Sequence, residues 1–107
     1  MQEKYILEGN RLIYYMPSEI DQHYAGQIRS TTDRLIDIHQ VRTLIFDFSG
    51  TSFMDSAGIG VVIGRSRKLG YYQGKVFVRN LNGRLERIFT ASGLWQLVAP
   101  EQEGEDE

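Results

Sequence analysis

Residues 52–60 read Ser-Phe-Met-Asp-Ser-Ala-Gly-Ile-Gly and follow a strongly apolar run, Thr-Leu-Ile-Phe-Asp-Phe-Ser at 43–49. A serine at the start of a helix, with an acid before it and glycines after it, has three chemical uses. Asp55 or Ser56 can accept a backbone N–H as an N-cap, which contributes about 1 kcal/mol to helix stability. Ser56 can carry a phosphate, because the unpaired N–H groups and the dipole of a helix start favour negative charge. It can also serve as a nucleophile, since strand, sharp turn, serine and helix is the layout of the hydrolase elbow G-x-S-x-G. Gly58 fits that elbow and Met54 does not. His23, with Asp21 as its orienter, completes a triad on paper, but no separate stretch offers an oxyanion loop.

The glycines bear on the choice. Gly58, Gly60 and Gly64 in one helix cost roughly 2–3 kcal/mol against alanine, so a close approach of something must compensate. Gly60 and Gly64 share a face and are expected to let the helix lie close on a sheet. Gly58 stands within a turn of Ser56, where helix packing or the approach of a partner backbone or a phosphate explains it.

The elements that position these residues are legible from periodicity. Two apolar runs at 5–9 and 11–16, separated by Gly9-Asn10, predict a hairpin that ends near Pro17. Ile20, Tyr24, Ile28, Thr31, Leu35 and Ile38 recur at helical spacing, predicting helix one from about Gln22 to His39 with Asp21 as N-cap. The run 43–49 is apolar on both faces apart from Asp47, as a central strand should be. Helix two is predicted from Ser56 or Ala57 to Leu69, closed by a left-handed Gly70. A strand follows at 75–79. Asn82 then caps a third helix that buries Leu85, Ile88 and Phe89, Gly93 closes it, and a last short strand ends the domain.

Strands alternating with helices require right-handed crossovers and a largely parallel sheet, so the fold class is α/β. Loops leaving the carboxyl ends of parallel strands gather on one rim. If the strands at 11–16 and 43–49 are neighbours, Asp21 and Ser56 face each other there. Trp95 is expected to pack helix three against the sheet, and Arg65, Arg67 and Lys68 to form a solvated helix face.

The 107 residues fit one domain, 1–100, followed by an acidic tail, 101–107, expected to be disordered. That tail holds five of the fourteen acids, so the net charge of -2 conceals a mildly basic domain. The bases are dispersed and do not interleave with aromatics, which argues against nucleic acid as a partner. With no cysteine there is neither a disulfide framework nor a thiolate metal site, and a cytoplasmic location is expected. No apolar run suits a signal peptide or a membrane span. His23 and His39 lack partners at metal-binding spacing, so no metal or cofactor is expected.

The stretch SFMDSAGIGVVIGRSRKLGYYQGKVFVRN, followed by RLERIFTASGL, resembles the STAS family, and within it the bacterial anti-sigma factor antagonists. The resemblance runs from about Arg11 to Leu97, with D-S-[SA]-G after a buried strand as its most specific motif. The family's Gly-Glu-Leu-Asp segment is matched by Ser18-Glu19-Ile20-Asp21, which keeps the acid. The resemblance implies a STAS-type fold: a mostly parallel sheet of four to five strands, an N-terminal antiparallel hairpin and three main helices.

It also implies a transcriptional switch without catalysis of its own. The serine matching Ser56 would be phosphorylated by an anti-sigma factor that is also a serine kinase. The unmodified form would bind that partner and free the sigma factor, and a phosphatase would reverse the modification. Ala57 stands where many members carry a second hydroxyl, which concentrates the assignment on Ser56. The expected docking surface comprises Asp21, Phe53, Met54, Asp55, Ala57 and Gly58, with Phe53 and Met54 equally readable as core. A scaffold module of a larger signalling assembly, without phosphate turnover, is the alternative within the family, and a small serine hydrolase the alternative outside it. The oligomeric state stays open.

Overall fold

The computed structural model describes residues 2–101. Its elements run β1 (Lys4–Glu8), β2 (Arg11–Tyr15), β3 (Glu19–Ile20), α1 (Gln22–His39), β4 (Thr43–Asp47) and β5 (Phe53–Met54). After these come α2 (Ser56–Tyr71), β6 (Lys75–Arg79), α3 (Gly83–Ser92), a single 3-10 turn (Leu94–Gln96) and β7 (Ala99–Pro100). The main sheet has the order β1-β2-β4-β6-β7, antiparallel only at the β1–β2 hairpin. Gly9 turns that hairpin at φ 60°, a left-handed conformation that glycine adopts without strain.

Every crossover steps in the same direction across the sheet. Right-handed connections therefore place all three helices on one face. Leu12, Tyr14, Leu44, Phe46, Val76 and Val78 point into that layer and join Ile28, Leu35, Ile36, Val61, Val62, Leu69, Leu85 and Phe89 in a single core. Each large apolar side chain so buried contributes roughly 1.5–3 kcal/mol. As expected, β4 lies in the middle of the sheet, and Trp95 packs on Phe89 with ring centroids 5.2 Å apart.

Among the described residues no helix lies on the opposite face. Register aligns Ile6, Ile13, Ile45 and Phe77 in one apolar row across it. Ile45 is nonetheless 1% exposed. Glu101 bonds to Arg11 at 3.2 Å and to Arg79 at 2.9 Å, from opposite flanks of the row, so its carboxylate lies across the row. Arg79 also pairs with buried Asp47 at 2.7 Å. Burial by itself raises the Asp47 carboxyl, but hydrogen bonds from Arg79, the Ser49 N–H and Asn80 outweigh it and hold the group below the usual carboxylate range.

Several expectations are corrected. Glu101 does not belong to a tail: its side chain is largely buried and its N–H donates to the Val78 carbonyl at 2.8 Å. The rest of the acidic run, 102–107, lies outside the described residues. Helix α2 runs through Gly70 to Tyr71, and Gln73 at φ 63° takes the left-handed conformation assigned to Gly70. Ile38 is 64% exposed, whereas Thr32 and Ile36 are buried in its place, because the stripe of α1 turns toward α2.

Arg65 is buried rather than solvated. Its guanidinium lies 3.3 Å from the Asp33 carboxylate and donates to the Arg29 carbonyl. The pair to Asp33 is a charge contact without hydrogen-bond alignment, and neither of its two atoms has a hydrogen-bond partner among the described residues. Gly60 and Gly64 do not press on the sheet either: a Cβ added at each meets nothing within 4 Å. Among the described residues no helix is long and apolar enough to cross a membrane.

Candidate functional site

The loops that leave β2 and β4 are joined along their length. The Ser18 carbonyl accepts N–H groups from Ser52 at 2.8 Å and Phe53 at 3.3 Å, and the Thr51 hydroxyl donates to the Pro17 carbonyl at 2.8 Å. These bonds set β3 beside β5 as a second, two-stranded parallel sheet, pairing Glu19 with Phe53 and Ile20 with Met54. The Asp55 N–H then closes on the Ile20 carbonyl at 3.0 Å. Asp21 and Asp55 are the next residues of two parallel strands in register. Each starts a helix.

Both acids are N-caps. Asp21 accepts the N–H groups of His23 at 2.9 Å and Tyr24 at 3.2 Å, and Asp55 accepts that of Ala57 at 2.8 Å. Ser56 is the first residue of α2 and is exposed. Phe53 beside it is 42% exposed. Asp21, Asp55 and Ala57 are partly exposed around the same corner. The geometry thus displays one hydroxyl at the positive end of a sixteen-residue helix, where added negative charge meets free N–H groups and the helix dipole.

Met54 and Gly58, counted in the expected docking surface but also readable as packed residues, are buried. Met54 is 3% exposed, and a Cβ on Gly58 would sit 2.3 Å from Met54 Cγ and 2.9 Å from Ile20 Cγ2. Of the readings open for Gly58, internal packing is the one realised. The glycine lets the first turn of α2 rest directly on the β3–β5 pair, so it fixes where Ser56 stands without touching a visitor.

The triad reading loses its orienter. The Asp21 carboxylate is engaged by backbone N–H groups at the start of α1, and the His23 ring packs edge-on against Tyr24 with centroids 4.8 Å apart. Among the described residues no group of three or more His, Cys, Asp or Glu converges to hold a metal.

Two supporting contacts escaped sequence reasoning. Thr51 is 3% exposed and ties the two loops together. Asn82 caps α3 by accepting the Leu85 N–H and, from its amide nitrogen, donates to the Thr51 carbonyl at 3.1 Å. The capping role was readable from Asn82 itself, but its second bond joins residues far apart in sequence and left no local signal.

Comparison with known proteins bears on the family and the fold. The STAS domain model matches residues 2–105. The chain is similar to an anti-sigma F factor antagonist of Lysinibacillus sphaericus, 37% identical over 90 residues that span 82% of this chain and 77% of the relative. It is also similar to the Bacillus cell fate determinant SpoIIAA in its phosphorylated form, with TM-score 0.77 and 29% identity over 98% of this chain and 96% of that one. An anti-sigma factor antagonist from Mycobacterium paratuberculosis shares the fold, with TM-score 0.81 at 17% identity over 95% of this chain and 86% of that one. On the family match and the 37% relative together, the chain belongs to the STAS domain family.

Proposed function

We propose that this protein is an anti-sigma factor antagonist switched by phosphorylation of Ser56. In the unmodified form the corner built by Asp21, Phe53, Asp55 and Ala57 docks on an anti-sigma factor, which releases its sigma factor. That partner is a serine kinase as well, and it transfers the terminal phosphoryl group of ATP to the Ser56 hydroxyl. A serine phosphatase restores the docking form. The observation that carries this reading is the exposed hydroxyl at the first position of α2, in a chain 29% identical to a relative solved in its phosphorylated form.

The physics supports a switch at the interface rather than in the fold. Phosphorylation adds about -1.5 to -2 charges beside Asp55, replacing a neutral hydroxyl with a dianion and making the docking surface strongly anionic. Losing about 3 kcal/mol of binding lowers affinity more than a hundredfold. The positive end of α2 offsets part of the new charge, so the domain stays folded.

The test is incubation with the cognate anti-sigma factor and ATP, followed by mass spectrometry of wild type and Ser56→Ala. One phosphate on wild type, at Ser56, and none on the variant is the expected result. An antagonist that binds its partner but never takes up phosphate would instead be the scaffold module.

A further inference from the structure

We propose that the free edge of β1 pairs with the β1 of a second copy, antiparallel about Ile6, to form a symmetric dimer with one continuous sheet. The pairing of β2 with β4 fixes which way the backbone groups of β1 face. The Met16 N–H donates to the Asp47 carbonyl, and the Asn10 carbonyl accepts from Arg42 and Thr43. Even-numbered residues of β2 therefore turn their backbone groups toward β4, and odd-numbered ones turn theirs toward β1. Through the register, Lys4, Ile6 and Glu8 face β2, which leaves the N–H and C=O of Tyr5 and Leu7 pointing outward.

An outer strand centred on Ile6 meets that pattern. Ile6 falls opposite its own copy as a non-hydrogen-bonded pair, and Tyr5 and Leu7 each exchange two hydrogen bonds with the other's Leu7 and Tyr5. The side chains agree with the backbone. β1 reads Lys-Tyr-Ile-Leu-Glu, so the same two-fold sets each Lys4 opposite the other copy's Glu8. Parallel pairing in register would set Lys4 beside Lys4 and Glu8 beside Glu8.

Lysine on an edge strand usually discourages pairing. Here the opposite charge at the other end rewards one orientation and one partner, a second copy of the same strand. Neither Lys4 nor Glu8 joins an ion pair among the described residues. Tyr5 and Ile6, 42% and 45% exposed, supply the apolar surface that such a pairing buries. The row of Ile6, Ile13, Ile45 and Phe77 on the open face would then continue into the second copy.

Sedimentation equilibrium of the full chain, from micromolar to millimolar concentration, reads the dimer directly. Lys4→Glu sets carboxylate against carboxylate at both ends of the strand pair and should weaken association about tenfold. Glu8→Lys should weaken it in the same way, with two ammonium groups facing each other instead. Because Glu8 also faces Arg11 within its own hairpin, circular dichroism is used to establish that each variant is folded. Mixing the two variants restores opposite charges at both ends, and a heterodimer regaining most of the lost affinity is the expected result. Tyr5→Pro removes an outward N–H while leaving the β1–β2 bonds intact, and should also weaken association about tenfold or more. A chain that stays monomeric throughout the range overturns the proposal. So does a dimer that ignores Tyr5→Pro, or one that the charge-matched mixture does not restore.

Discussion

The two corners at the rim, Glu19-Ile20-Asp21 leading into α1 and Phe53-Met54-Asp55 leading into α2, are built alike and do different work. In both, a two-residue strand buries its second residue and an aspartate caps the helix that follows. They part at the next three positions. The first continues Gln22-His23-Tyr24, with Asp21 accepting two N–H bonds. The second continues Ser56-Ala57-Gly58, with Asp55 accepting one and Gly58 pressed under Met54 and Ile20. The third position is a half-buried tyrosine in the first corner, whereas in the second it is a buried glycine that lies directly against Met54 and Ile20. An N-cap is generic, and what sets the candidate corner apart is the exposed hydroxyl of Ser56 together with the glycine packed beneath it.

The sharpest way to break the comparison is to move the hydroxyl. In Ser56→Ala/Gln22→Ser the serine stands at the matching position of α1. If seating matters, the kinase leaves this protein unmodified, and phosphate uptake falls from complete to none by mass spectrometry. In the wild type, phosphorylation should weaken partner binding more than a hundredfold, a loss of about 3 kcal/mol measurable by calorimetry. Ser56→Asp should move binding in the same direction by less, since it carries one charge and no phosphoryl oxygens.

Next in size is Gly58→Ala. The added methyl overlaps Met54 at 2.3 Å, and overpacking of that kind costs about 1–3 kcal/mol in urea unfolding. Partner affinity should fall as well, because the start of α2 must shift to make room. A Gly58→Ala protein of unchanged stability and affinity would refute the seating argument.

Smaller again are the caps. Asp21→Ala and Asp55→Ala should each lose about 1 kcal/mol of stability. Both should also slow phosphorylation, since both belong to the proposed docking corner, and Asp55→Ala by more, because its carboxylate accepts the Ala57 N–H in the turn that carries Ser56.

The smallest effect is a null one. Asp47, whose folded carboxyl is held below its ordinary range by Arg79, Ser49 and Asn80 despite burial, stabilises the domain while ionised. That contribution is present above the unfolded carboxylate pKa of about 3.9 and is lost as pH falls through the lower folded value. The stability gap between wild type and Asp47→Asn should therefore stay level from pH 8 to 5 and narrow only below about pH 4.

Much of this was legible beforehand, for reasons that particular residues make plain. Asp21 and Asn82 announced helix starts through side chains that reach only two or three residues along the chain. The run 43–49 announced a central strand because both its faces are apolar. What escaped notice was either too short for periodicity to register, as with β3 and β5, or depended on an element elsewhere. Arg65 looked like a solvent residue because a helical wheel does not include Asp33 and Arg29 on a neighbouring helix. Glu101 looked like the first residue of a tail because its two arginines lie 90 and 22 residues away.

The chain's local chemistry determined the order of strands and helices, the caps and the identity of the candidate hydroxyl, since each depends on neighbours a few bonds distant. Tertiary packing alone decided that two loops pair as a second small sheet, that Gly58 is a seat rather than an opening, and which charges lie buried. Those outcomes depend on distances through space between segments that the order of residues brings together only once the chain has folded.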